Sequence, residues 1–194
     1  MITPTNITNY NRTEYELEEF LLFSIMVAGK KADQTAKKLD LFLSKMASFN
    51  FKGTPFEFIQ YLEKGNLLLP VLMSCKIGQY NRIQKAFEGI LQFKGKLDSV
   101  KVSELESVKG IGPKTARFFL LHSRLNTNLA VLDTHILRWL RDHGVNAPVS
   151  TPNIKKYLKL EKRFLWYASV YGITPAELDL QIWTTYSKQK LKTK

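Results

Sequence analysis

An all-α fold is what this chain of 194 residues predicts. Helix-start signals recur along its length, and apolar residues between them fall at helical spacing. No long stretch alternates apolar and polar residues as a half-buried strand would. About eight to ten helices joined by short loops, with almost no strand, are expected. Thr13 with Glu16 opens the first: a hydroxyl accepts from an orphan backbone N–H and the glutamate bonds back to the cap. Leu17, Phe20, Leu21, Ser24 and Ile25 follow at helical spacing, and Gly29 is a stop. Ala36, Leu39, Leu43 and Met46 mark the next helix. Thr54 and Glu57 open another, with Pro55 at the first helical position, where a missing N–H does no harm, and Gly65 closes it. Residues 79–93 carry Ile83, Phe87, Ile90 and Leu91, with Gly95 as a stop. Ser103 and Glu106 open a short helix over 103–107, and Pro113 starts one that runs to about Leu125. The apolar run 129–132 is too isolated to build a sheet. Asp133 is placed to cap a helix through about His143, before Gly144. After Gly172, Thr174, Pro175 and Glu177 begin the last helix. The basic end, 187–194, reads as a frayed tail or as one that touches phosphate.

Composition narrows the function. Lys and Arg number 29 against 17 Asp and Glu, a net charge of +12. Such an excess favours a polyanionic partner, because each neutralised phosphate releases condensed counterions. Apolar residues make up 44%, enough for a real core, in one large domain or two closely packed lobes. Cys75 is the single cysteine, expected as a buried thiol. No disulfide, cysteine-ligated zinc or four-cysteine iron–sulfur cluster can therefore form within the chain. Neither a signal peptide nor a membrane span is expected, and an intracellular location is the default.

The most informative stretch is 108–133, VKGIGPKTARFFLLHSRLNTNLAVLD. Gly110 and Gly112 allow positive φ and leave backbone N–H groups unobstructed. With the following helix N-terminus they make an anion cradle, and Lys109 lies within the turn. Ile111 between them is expected to plug the hairpin into the core. An ordinary helix-to-helix turn is the alternative for a bare GxG. Lys114 lies in the first turn of the next helix, at the positive end of the macrodipole and so a poor place for a cation whose only task is solvation. Uncharged, its amine is a nucleophile for carbon. Asp133 alone reads as a helix cap; with Lys114 and the hairpin it suggests chemistry on a nucleic-acid backbone.

These residues carry a resemblance. V-K-G-I-G-P-K-T-A followed by L-D-T-H resembles the helix-hairpin-helix and aspartate signature of the endonuclease III superfamily of DNA glycosylases. Residues 77–82 (IGQYNR), Lys85-Ala86 and, less specifically, the segment from Val27 to Ala36 extend the similarity over about 17–145. The resemblance implies that Lys114 is the nucleophile and Asp133 the essential acid. It implies DNA contacts at Lys109, Gly110, Gly112 and His135. The missing cysteine cluster and the presence of Lys114 look closest to the compact 8-oxoguanine glycosylases of archaea and some bacteria. There Asp179 and Trp183, four apart on one helix face, resemble base-contacting positions, with Trp166 and Tyr186 behind them.

The implied function is excision of 8-oxoguanine from double-stranded DNA by a monomer. A flipped base is released through a lysine Schiff base, and β-elimination nicks the strand. No cofactor is implied beyond a monovalent cation at the hairpin. The implied fold has two helical lobes and an interlobe base cleft. Residues 30–125 form the central lobe, with the helix-hairpin-helix at 103–125, and 1–29 join 126–194 in the other. Arg82, Lys85, Arg117 and Arg138 would line the DNA-facing rim, and the segment from Lys30 to Gln34 falls where relatives wedge the base stack. Excision of oxidised pyrimidines and a non-catalytic DNA-binding module are the competing readings.

Overall fold

The computed structural model describes residues 2–93 and 95–188; most of the basic end, 189–194, lies outside them. Among the described residues there are ten α-helices, one 3-10 turn (Pro4–Asn6) and no strand. The helices are α1 (Glu14–Met26), α2 (Ala32–Ser48), α3 (Pro55–Lys64), α4 (Leu68–Ser74) and α5 (Tyr80–Ile90). They continue as α6 (Val102–Ser107), α7 (Pro113–Ser123), α8 (Thr134–Asp142), α9 (Ile154–Tyr171) and α10 (Pro175–Lys188). No helix is long and apolar enough to cross a membrane among these residues.

Local signals place most of the ends. Capping boxes close at Thr13/Glu16 and Thr54/Glu57, and Thr174 and Glu177 exchange the same pair of bonds. Gly29, Gly144 and Gly172 take the left-handed conformation that their stop positions need. The box at Ser103/Glu106 is not formed. Helix α6 begins one residue earlier, the Glu104 carboxylate accepts the Lys101 N–H at 2.6 Å, and Glu106 turns instead to Arg117. A buried guanidinium is a stronger claimant on a carboxylate than a solvated cap is. Helix α5 ends at Ile90, short of Gly95. Helix α7 ends at Ser123, where Arg124 goes extended and donates to the carbonyls of Leu97 and Val100.

Two main cores form. The larger takes apolar side chains from α1 to α7, among them Phe23, Leu39, Phe42, Phe58, Phe87 and Phe119. The smaller gathers Ala130 and Leu132 with Leu137, Leu140, Tyr157, Phe164 and Ile182 of α8 to α10. Leu121, Val131 and Ala176 make a third cluster, against which Phe118 also packs. Helix α1 belongs to the larger core and lies against α7, α2, α3 and α5, whereas the sequence grouped 1–29 with 126–194. The reason is burial on all sides: every residue from Leu17 to Met26 is buried, so α1 needs helices around it rather than one face to lean on. The chain just before α1 does reach the other way, with Thr8 bonded to His122 of α7 and Tyr10 near Glu177 of α10.

Candidate active site

The hairpin is built for close approach. Ile111 is buried in the larger core, and its N–H closes the turn on the Val108 carbonyl at 3.0 Å. Gly110 has φ +93°, and a Cβ there would come within 2.9 Å of the Ala86 Cβ and 3.1 Å of the Arg82 carbonyl. Gly112 is different: its backbone is extended at φ −98° and ψ 177°, not left-handed, and an added Cβ would meet nothing within 4 Å. The fold makes no demand for glycine there. Helix α7 starts from Gly112 without a side-chain cap, so its first-turn N–H groups face outward beside exposed Lys109. Gly110→Ala is expected to cost roughly 1–3 kcal/mol of stability, from strain and contact together. Gly112→Ala should leave the melting temperature within about 1–2 °C yet weaken binding to duplex DNA. Equal destabilisation by the two in thermal melts would contradict this division.

Lys114 is half-buried on the first turn of α7, with Nζ 5.0 Å from the centroid of the Phe118 ring. Asp133 is the N-cap of α8, where its Oδ1 accepts from the N–H groups of His135 (2.8 Å) and Ile136 (2.9 Å). The His135 amide is thus committed to Asp133, and its ring is half-exposed. Asp179 of α10 is only 6% exposed. Burial, chiefly, pushes its carboxyl up; His122 opposes this, the Asp133 charge adds to it and Lys114 opposes it. Lys114 and Asp133 therefore both lie within electrostatic reach of Asp179, although the three come from different parts of the chain. Trp183 is half-exposed one turn beyond Asp179.

What holds α7 against the loop of Asp133 is a hub that sequence reading missed. Arg117, only 4% exposed, donates from Nε to Glu161 Oε1 at 2.8 Å, ion-pairs through Nη1 with Glu106, and stacks over the Tyr157 ring at 4.6 Å. Burial works against its charge, but Glu106 and Glu161 outweigh burial and hold the guanidinium above its ordinary pKa. Glu161 Oε1 also accepts the Ala130 N–H at 2.9 Å. The Tyr157 hydroxyl donates to the Ala130 carbonyl (2.7 Å) and accepts from the Leu132 N–H (3.0 Å). The non-helical run before Asp133 thus takes hydrogen bonds at Ala130 and Leu132 from α9 side chains. Arg117 is consequently not a rim residue. Its signal in the sequence was Tyr157 and Glu161, four apart on one helix face.

Other expected positions are distributed as follows. Lys85 is exposed, while Arg82 donates to the Ile25 carbonyl and the Gln79 side chain, both at 2.8 Å. Arg138 lies 5.2 Å over the Tyr186 ring, and the Tyr186 hydroxyl donates to Asp142. Trp166 is exposed on α9 beneath Arg163. Lys30 donates to the carbonyls of Ile77 (2.8 Å) and Gly78 (3.2 Å), and burial, then Arg82 and Lys38, lower its amine to about 8. Lys31 beside it is exposed.

Residues 5–173 match the family model for 8-oxoguanine DNA glycosylase. The chain belongs to that family. Over 80 residues it is 34% identical to the 8-oxoguanine DNA glycosylase/AP lyase of Thermotoga maritima, which is 41% of this chain and 38% of that protein. Over 85 residues it is 36% identical to the enzyme of the same description from Aquifex aeolicus, 44% of this chain and 37% of that one. The matched stretch thus spans less than two-fifths of these relatives' length. The fold extends further. The structure of the Methanocaldococcus jannaschii 8-oxoguanine glycosylase/lyase, in complex with DNA containing 8-oxoguanine, superposes with a TM-score of 0.69. Its 22% identity covers 94% of this chain and 86% of that one, a likeness of fold.

Proposed function

We propose that this protein is a DNA glycosylase and AP lyase that acts as a monomer on double-stranded DNA and excises 8-oxoguanine. The observation that carries the reading is Asp179, a buried carboxylate within electrostatic reach of both the Lys114 amine and the Asp133 carboxylate, in a member of the 8-oxoguanine glycosylase family. Family membership alone names a substrate for relatives; the three groups supply chemistry for it here.

The hairpin N–H groups and Lys109 grip the phosphate beside a flipped nucleotide. As the bond from C1′ to the base loosens, the ionised Asp133 stabilises the positive charge at C1′. The lone pair of the uncharged Lys114 amine forms a bond to C1′, the pair of the glycosidic bond leaves with the base, and a proton goes to the departing ring. The attached nitrogen then loses a proton, the C1′–O4′ pair leaves with the ring oxygen, which takes up a proton, and the Schiff base results; removal of a C2′ proton then expels the 3′ phosphate with the pair of the C3′–O bond. Asp179 accepts from the base N–H groups while Trp183 offers a face for stacking, which suits an oxidised purine that carries an extra donor at N7. A monovalent cation at the hairpin belongs to the same proposal. Backbone carbonyls of 108–112 would hold it.

The test is single-turnover base release from duplexes that carry 8-oxoguanine or thymine glycol, with borohydride present in a parallel set. Faster release of 8-oxoguanine, with a trapped covalent adduct, is expected. Faster thymine glycol release assigns the site to oxidised pyrimidines. Binding without release or adduct leaves a DNA-binding module.

A further inference from the structure

Asp179 is held from one side only. Its Oδ2 lies 3.2 Å from His122 Nε2, while Oδ1 is buried and has no hydrogen-bond partner among the described residues. Burial of an unsatisfied carboxylate oxygen is costly, and folding alone offers no reason to retain it. His122 is fully buried, and its Nδ1 lies 2.8 Å from the Thr8 hydroxyl. An imidazole bonded at both nitrogens cannot turn, so it sets the plane of the carboxylate and with it the direction of Oδ1. The imidazole is fixed further by an edge contact with Phe118 at 5.1 Å, the same ring that underlies the Lys114 amine. Lys114, Phe118 and His122 follow one another at four-residue spacing on a single face of α7.

The N-terminal segment that supplies Thr8 is clamped to the residue it serves. The Asn9 N–H donates to the His122 carbonyl at 3.0 Å. Arg12 donates to that carbonyl at 2.8 Å and also to the carbonyls of Ile7 and Asn9. Thr8 therefore sits in a fixed place rather than on a loose arm.

We infer that His122, anchored by Thr8, is a positioning residue for damaged-base recognition: it aims the free oxygen of Asp179 at the N–H groups of the flipped purine. The inference rests on the reading of Asp179 as a base contact. His122 itself touches neither sugar nor base. The N-terminal segment thereby becomes part of the specificity apparatus, at a distance from the hairpin that grips DNA.

The test compares two reactions of the full chain. One is release of 8-oxoguanine from a duplex. The other is nicking of a duplex with a preformed abasic site, which needs the amine but has no base to recognise. His122→Phe keeps the ring and removes both nitrogens. It is expected to slow base release by about 100-fold, the order that a small misplacement costs, and to slow nicking by no more than about threefold. His122→Asn, which keeps one polar contact, should recover part of the loss. Thr8→Val, a gentler change, should show the same selectivity at roughly three- to tenfold, the weight of one hydrogen bond. Adding His122→Phe to Asp179→Asn should slow base release no further. Parallel loss of both reactions in variants that melt normally, or no loss of base release, overturns the inference. Failure of the wild type to release 8-oxoguanine while it nicks abasic DNA overturns the pocket reading beneath it, and the two failures are seen in different arms.

Discussion

Lys114→Gln is expected to leave no covalent adduct with 8-oxoguanine DNA in the presence of borohydride, and to slow strand cleavage by at least ~10³-fold. Glutamine keeps the length and polarity of the side chain and lacks the lone pair that forms the bond to C1′. Among the described residues, Lys109 is exposed on the hairpin, and Lys30 is bonded to the carbonyls of residues 77 and 78. Duplex binding should survive, because one cation among many phosphate contacts is lost. Asp133→Asn is the informative companion. Asparagine caps a helix about as well as aspartate, so the bonds to the His135 and Ile136 amides can persist while the charge opposite C1′ disappears. Melting should change little and turnover should collapse. An undiminished adduct with Lys114→Gln, mapped by peptide sequencing to another lysine, would remove Lys114 from the mechanism.

The largest effect on stability is expected from Arg117→Met. The substitution fills much of the same volume but leaves Glu161 buried and its partner Glu106 without the cation they share. Removal of one member of a buried ion cluster costs about 3–5 kcal/mol, which for a chain of this length lowers the melting temperature by roughly 10–15 °C. Catalysis by the protein that remains folded should also fall, because the guanidinium links the helix of Lys114 to the run that ends at Asp133. Arg117→Met with Glu161→Gln and Glu106→Gln should recover part of the stability, since no charge is then left uncompensated. A thermal shift below about 2 °C for the single variant would show that the cluster carries little of the fold.

How far the sequence reaches follows the range of each interaction. The boxes at Thr13, Thr54 and Thr174 and the Asp133 cap were legible because each is settled within four residues. Arg117 was misplaced on the DNA rim because its partner Glu161 is 44 positions away, and the one signal, Tyr157 and Glu161 on a shared helix face, lies on that distant helix. The same competition displaced Glu106 from its anticipated cap. Helix α1 was grouped with the C-terminal segment because its spacing reads as one apolar face, whereas the structure buries every residue from Leu17 to Met26, Glu18 and Glu19 included. Gly112 was expected to use positive φ, but its backbone is extended and an added Cβ would meet nothing within 4 Å. His122 was overlooked because a histidine amid Phe-Phe-Leu-Leu reads as core, and only the Thr8 and Asp179 contacts separate it from that background.

The four residues before Asp133 have a consequence for the molecule at large. Backbone groups outside helices, when left unpaired, can serve another chain as a template for association. Here Tyr157 and Glu161 occupy the Ala130 and Leu132 groups, so the segment offers no template for self-association. The same fastening, through Arg117 and Glu161, ties the helix of Lys114 and the loop of Asp133 into one block.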